Sequence, residues 1–297
     1  MELNSVEAVQ QALATQRYVS EQSLATAIYL SLALPKPLLL EGEAGVGKTE
    51  VAKALATILD TKLIRLQCYE GLDVSHAVYE WNYPRQMLAI RVLEDEKVDR
   101  EKAVEEIFSS EYLIERPLLE AVRHSTGKAP VLLIDEIDRA DEEFEAFLLE
   151  LLSDFQITIP EIGTIKAVHP PIVIITSNRT RELHDALKRR CLYHWIDYPS
   201  VDKEFRIVTG KVPGINERLA QQITTFIHEL RREDLYKLPG VAETLDWAAA
   251  LLALNQRELS TEIASATLGA ILKHQEDLQA IRKGKLENLV AAASNGE

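Results

Sequence analysis

One octapeptide constrains this chain more than any other stretch: Gly42-Glu43-Ala44-Gly45-Val46-Gly47-Lys48-Thr49, which reads G-x-x-x-x-G-K-[ST]. Pro37-Leu38-Leu39-Leu40 precedes it, a short apolar run that suits a buried strand. Glu50 to Leu59 follows, with Val51, Leu55 and Ile58 spaced along one helical face. A glycine-rich loop between a strand and a helix turns successive backbone N–H groups inward. There they cradle phosphate oxygens at a helix N-terminus. In such a loop Lys48 reaches the β- and γ-phosphates, and Thr49 offers its hydroxyl to Mg²⁺.

A phosphate cradle needs acids before it can do chemistry. Ala129-Pro130-Val131-Leu132-Leu133-Ile134-Asp135-Glu136 reads as a strand whose four consecutive apolar residues fit burial on both faces. It ends in two carboxylates, where ligands bind in open α/β sheets. Asp135 can hold Mg²⁺, usually through a water, and Glu136 can orient and deprotonate the water that attacks the γ-phosphate. Ile172 to Asn178 is a second buried strand with a polar end. The Asn178 amide there can touch both the attacking water and the γ-phosphate without adding charge. Arg189 and Arg190 close a helix from Leu183 and precede Cys191. Either they compensate the helix dipole, or one of them, Arg190 before Arg189, stabilises transition-state charge in a neighbouring subunit.

Ser20 caps a helix from Glu21 to about Leu34, which Pro35 and Pro37 end. Tyr18 and Val19 are read either as packing on a base or as plain core. Leu63 to Cys68 is a second strand. Tyr69 to Tyr83 reads as loop, and its Tyr79, Trp81 and Tyr83 either grip a substrate or form a small hydrophobic cluster. Pro84 to Glu115 reads as helical and charge-rich, a solvated face. Pro117 to His124 and Glu142 to Ser153 are further helices. Gln156–Pro160 and Ile165–Val168 alternate about Gly163 as a β-hairpin, and Leu192 to Pro199 is a last strand. After Pro199 only helical patterns occur, at about 201–210, 214–232, 242–254 and 259–275. A domain boundary near 200 is expected, with 1–200 the nucleotide-binding part, the hairpin inserted at about 155–170, and 201–297 a helical part.

The net charge of −14 disfavours a nucleic-acid partner, which calls for basic surface. Cys68 and Cys191 fit no metal-ligand spacing and imply free thiols in a reducing compartment. The chain has no run approaching the ~20 apolar residues that cross a bilayer, and its acidic start lacks a signal-peptide pattern. A cytoplasmic protein without a membrane partner is the expectation.

Gly42 to Thr49, Leu132 to Glu136, Asn178 and Arg190 fall in the order and spacing of an AAA+ ATPase, which this chain resembles. Ile134-Asp135-Glu136-Ile137-Asp138-Arg139-Ala140, Leu148-Leu149-Glu150, Ile157-Thr158-Ile159-Pro160 and Leu39-Leu40-Glu41-Gly42 resemble the MoxR branch. Ala242-Glu243-Thr244-Leu245-Asp246-Trp247 is similar to CoxD-like members. The resemblance implies an α/β fold: a P-loop αβα sandwich on a parallel sheet, followed by an all-α lid. It implies ATP and Mg²⁺ as cofactors, ATP hydrolysis, and a homo-oligomeric ring, often a hexamer, with ATP between subunits. It also implies a chaperone role toward a protein client, in the CoxD-like group a molybdenum hydroxylase such as carbon monoxide dehydrogenase. A partner carrying a von Willebrand factor A domain is implied too. The hairpin at 156–168 and the loop at 69–83 are the candidates for touching a client. Many AAA+ lids carry an arginine, called sensor 2, where this chain has Leu238-Pro239-Gly240-Val241-Ala242-Glu243. A nucleic-acid motor and a slow nucleotide-gated switch remain open beside the chaperone reading.

Overall fold

The computed structural model describes residues 3–95, 99–124 and 127–295. Residues 96–98, inside the stretch read as helical and charge-rich, lie outside the described residues. Among the described residues nine strands follow in chain order: β1 (Leu38–Gly42), β2 (Leu63–Gln67), β3 (Tyr79–Trp81), β4 (Leu113–Glu115), β5 (Val131–Asp135), β6 (Gln156–Ile159), β7 (Gly163–Lys166), β8 (Ile172–Ser177) and β9 (Leu192–Ile196). Five make the main sheet, in the order β2-β5-β8-β1-β9.

The three inner strands are those with unbroken apolar runs. β1 and β5 are buried along their whole length, and β8 from its second residue. Alternate residues (Leu39, Leu132, Ile134, Val173, Ile175) join one core cluster, and the intervening Leu38, Leu40, Leu133 and Ile174 are equally buried. Both faces are therefore covered, as parallel sheets require. Each buried leucine contributes about 1.5–3 kcal/mol. The outer β2 alternates instead, with Ile64 and Leu66 buried and Arg65 turned outward. β2, β5, β8 and β1 pair in parallel, with Gln67 opposite Asp135, Ile134 opposite Ile175, and Glu41 opposite Ser177. Their C-terminal ends therefore share one edge, the expected ligand edge. The α/β expectation is met: a parallel sheet flanked by helices, followed by a helical region.

Two expectations change. The stretch from Pro84 to Glu115 is not helical throughout. Helices Tyr83–Asp95 and Arg100–Ile107 give way to β4, which pairs antiparallel with β3 inside the supposed loop. Strands of three residues are too short to display a period of two. Trp81 is buried, edge-on to Tyr79 at 6.2 Å and to Phe108 at 5.3 Å, so these aromatics are a core cluster, with Tyr83 alone exposed. The last helix read, 259–275, is instead Thr261–Thr267 with a 3₁₀ turn at Leu268–Ala270, and Gln275–Arg282 and Leu286–Asn295 follow. Gly269 weakens the helix there, and Gly284 (φ +126°) separates the final two. The expected hairpin forms, with its second strand at Gly163–Lys166, two residues earlier than Ile165–Val168. Ile157 and Ile159 anchor it in the core while β7 is largely exposed.

The chain resolves into two compact units that are discontinuous in sequence. One comprises Met1–Val9, Gln22–Glu41 and Ala52–His194, and the other Gln10–Glu21, Gly42–Val51 and Trp195–Glu297. The second is built on helices Glu217–Leu230 and Val241–Ala253, with Phe226 and Trp247 at 5.0 Å in its core. Ser200, Asn216 and Ser260 cap their helices by accepting from Lys203, Leu219 and Ile263 N–H groups.

This helical core holds one buried ion pair. The Arg231 guanidinium meets the Glu204 carboxylate through two bonds, at 2.6 and 2.8 Å, and its Nε donates to the Pro239 carbonyl at 2.8 Å. Thr244 donates to Glu204 at 2.6 Å, and the guanidinium lies 4.7 Å over the Tyr198 ring. Every polar atom finds a partner, so removing one charge strands the other. Arg231→Met should cost about 3–5 kcal/mol in chemical denaturation. Arg231→Met with Glu204→Leu should recover most of that loss.

Candidate functional site

The phosphate loop leaves β1 with Glu43, Ala44 and Gly45 exposed and Val46 buried beneath them. Gly45 and Gly47 have φ of +77° and +100°, the left-handed region that a side chain resists. Lys48 opens helix Lys48–Leu59. Its ammonium turns back over the loop and donates to the Gly42 and Glu43 carbonyls, both at 2.7 Å. Thr49 is half-buried in the first turn of that helix. The Tyr18 hydroxyl approaches the Gly47 carbonyl at 3.5 Å. Burial, then Glu50 and Glu21, hold its phenol proton well above the usual range.

The same unit brings the start of helix Val241–Ala253 onto the loop. The Ala242 N–H donates to the Gly45 carbonyl at 3.1 Å. The Glu243 carboxylate accepts the Gly240 N–H at 3.0 Å. A Cβ on Gly240 would stand 2.6 Å from the Ala44 carbonyl oxygen, so only glycine admits this approach. The stretch that lacks a sensor 2 arginine thus meets the loop through backbone. Arg231, the nearby cation, is committed to Glu204. Tyr198 is pushed up to about 12 by burial and by Glu43, against the opposing pull of Arg231.

The acids are held in the other unit. Thr176 of β8 donates to Asp135 Oδ1 at 2.6 Å and accepts the Glu136 N–H at 2.9 Å. Arg65 of β2 donates to Asp135 Oδ2 from Nε at 3.0 Å and Nη2 at 2.6 Å. Glu136 sits in the left-handed region (φ 55°, ψ 52°), an unusual place for a residue with a side chain. Asn178 Nδ2 donates to its Oε1 at 3.2 Å and Gln67 Nε2 to its Oε2 at 3.1 Å. Arg139 stands off at 3.9 Å. Asp138, two residues on and buried, receives the Asn178 N–H at 3.1 Å, the Thr180 N–H at 2.9 Å and the Thr180 hydroxyl at 2.7 Å. Burial opposes its charge, yet those bonds hold its carboxyl below the ordinary value. Cys68 follows β2, and burial with Asp135, Asp138 and Glu136 pushes its thiol up to about 12.

Asp135, Glu136 and Asn178 are therefore brought together. Arg189 and Arg190 end helix Asp185–Arg190, both exposed, and Arg190 bonds to Ser153 Oγ at 2.8 Å and the Ala186 carbonyl at 3.1 Å. Arg65, Gln67 and Thr176 went unread in the sequence. Asp138 stands out in the sequence only as one residue of the stretch Ile134 to Ala140. The signal for Arg65 and Gln67 was present in the alternation of β2, which puts both on one face, but the pairing with β5 was not.

In the unit that carries the loop, the glycines and a buried ammonium suit phosphate, and the Thr49 hydroxyl is a hard oxygen ligand. In the other unit the Asp135 carboxylate is a hard oxygen ligand. Among the described residues no cluster of three or more His, Cys, Asp or Glu could hold a metal by itself. Mg²⁺ bound with phosphates needs only one or two protein ligands.

The model of the AAA domain (dynein-related subfamily) matches residues 37–191. The chain belongs to this family. An uncharacterized protein of Staphylococcus aureus (strain NCTC 8325 / PS 47) is 28% identical over 228 residues, covering 74% of this chain and 76% of its own. The counterpart in strain COL matches to the same extent. Among solved structures, a mutant of Thermotoga maritima RuvB superposes with a TM-score of 0.51 at 17% identity, covering 97% of this chain and 82% of its own. That likeness is one of fold.

Asp138→Asn presents an amide to three donors. It should lower stability at neutral pH by about 1–3 kcal/mol. The native carboxyl is held low, so its contribution is complete above the unfolded value of 3.8 and fades as pH falls through the folded one. The difference between wild type and variant in denaturation curves should therefore shrink as pH falls below 3.8.

Proposed function

We propose that the chain hydrolyses ATP with Mg²⁺ and couples that reaction to remodelling a protein client. The observation that carries the hydrolytic part is the hold on Glu136. Its two oxygens take neutral amide donors, Asn178 and Gln67. An acceptor-only carboxylate in a strained backbone suits a base that must take a proton from water. In this reading Gly42 to Thr49 bind the triphosphate, Lys48 charges the β- and γ-oxygens, and Thr49 and Asp135 hold the metal, Asp135 through a water. Mg²⁺ supplies neutralisation of charge on the phosphates. Glu136 orients and deprotonates the attacking water, and Asn178 steadies it. Arg190, or Arg189 beside it, reaches the site of a neighbouring copy in a ring, a hexamer by resemblance. Residues 1–200 act as the nucleotide-binding domain and 201–297 as its lid.

The MoxR reading rests on Ile134 to Ala140 and on the hairpin that follows, and the CoxD-like reading on Ala242 to Trp247. With them come a molybdenum hydroxylase as client and a von Willebrand factor A domain protein as partner. Two free cysteines support a reducing, cytoplasmic setting. Among the described residues no helix is long and apolar enough to cross a membrane.

Glu136→Gln should bind a fluorescent ATP analogue like wild type yet turn over at least about 100-fold more slowly. Near-normal phosphate release would remove Glu136 as the base. Arg190→Ala titrated into wild-type protein should depress hydrolysis more steeply than its mole fraction. Inhibition strictly proportional to mutant content would argue for a local role.

A further inference from the structure

We propose that Arg65 is a resident counter-ion for Asp135, and that a divalent metal engages Oδ2 of Asp135 by exchange with it. The inference rests on Asp135 being the metal-holding carboxylate, as proposed above.

Asp135 is almost fully buried at the end of β5, with its side chain 4% exposed. A buried carboxylate needs a compensating charge. Its Oδ1 is taken by the Thr176 hydroxyl, and its Oδ2 receives both Nε and Nη2 of Arg65. The outer lone pairs of Oδ2 are thus filled by a cation. A dication, bound directly or through a water, would face that guanidinium across the same oxygen, and like charges at that range repel. The Arg65 side chain is half exposed, so it has solvent to move into once a metal compensates Asp135.

Arg65 also carries news of the exchange. Its Nη2 bonds to Gln67 Oε1, and Gln67 Nε2 holds Glu136. When Arg65 leaves Oδ2, the Gln67 carbonyl loses its anchor and the amide on Glu136 is loosened. A base restrained until metal arrives follows from one guanidinium touching both Asp135 and Gln67. Arg65 is a positioning residue in this scheme.

The test is Mn²⁺ binding to the full chain with the non-hydrolysable analogue AMP-PNP, read by the EPR signal of free Mn²⁺. Asp135→Asn defines the binding that belongs to Asp135. Arg65→Gln should lower the Asp135-dependent Mn²⁺ Kd by about tenfold, the scale of one charge-assisted contact. It should also lower the metal-free melting temperature and widen the gap between metal-free and metal-loaded melts. Arg65→Lys keeps the charge without the fork, and should shift the Kd about threefold in the same direction. It carries the test if the glutamine variant does not fold. A Kd unchanged or raised in the folded variants would overturn the exchange, leaving the role of Asp135 intact. Mn²⁺ binding that is the same in wild type and Asp135→Asn would overturn the role of Asp135, and the exchange with it.

Discussion

A single hydroxyl sets the geometry of the acidic end of the sheet. Thr176 donates to Asp135 and accepts from the backbone of Glu136, so one side chain on β8 fixes two consecutive acids on β5. The arrangement needs the two strands parallel and in one register, with Ile134 opposite Ile175. Register in turn is held by apolar residues buried on both faces, because a slip by one residue would exchange the two faces of every side chain. The chemistry at the strand ends therefore inherits its precision from the core behind it. A buried threonine after four aliphatic residues of β8 is tolerated because its hydroxyl is satisfied twice.

The helical unit solves a related problem without a catalytic acid. Arg231 and Glu204 place two charges where water is scarce, and the surplus bonding capacity goes to Thr244 and the Pro239 carbonyl. Pro239 lies one residue before Gly240, whose missing side chain lets the helix start approach Ala44 and Gly45. The ion pair thus braces the turn that meets the phosphate loop. A geometry this close would be lost with any side chain at position 240, and it would drift if the turn were free to breathe. Buried charge here is better understood as fixing a position than as adding stability.

Much of this was readable in the amino-acid order. The glycine loop, the apolar strand ending Asp135-Glu136 and the strand leading to Asn178 are local patterns, each specified within a handful of neighbours. What escaped depends on register between distant segments. Arg65 and Gln67 look like outward residues of an edge strand until β2 pairs with β5, some 70 residues away along the chain, and brings Gln67 opposite Asp135. β3 and β4 escaped for lack of length, and helices Gln275–Arg282 and Leu286–Asn295 because Gly269 and Gly284 interrupt the pattern. Arg231 and Glu204 stand 27 residues apart, and no local pattern pairs them.

The two neighbouring carboxylates are surrounded in opposite ways, and that contrast carries the functional argument furthest. Asp135 is bonded by a guanidinium and a hydroxyl, while Glu136 is bonded by two amides, with Arg139 standing off at 3.9 Å. A cation bonded to a buried carboxylate compensates its charge. Neutral donors orient a carboxylate without placing a cation against it. Residues adjacent in sequence can receive such different treatment only if their side chains diverge. The left-handed backbone at Glu136 achieves this by turning the chain out of β5 immediately after Asp135. The strain of that conformation, of order 1–3 kcal/mol, is borne by the bonds from Thr176, Asn178 and Gln67. A β-continuation at 136 would relieve it, and would return both acids to a single electrostatic environment.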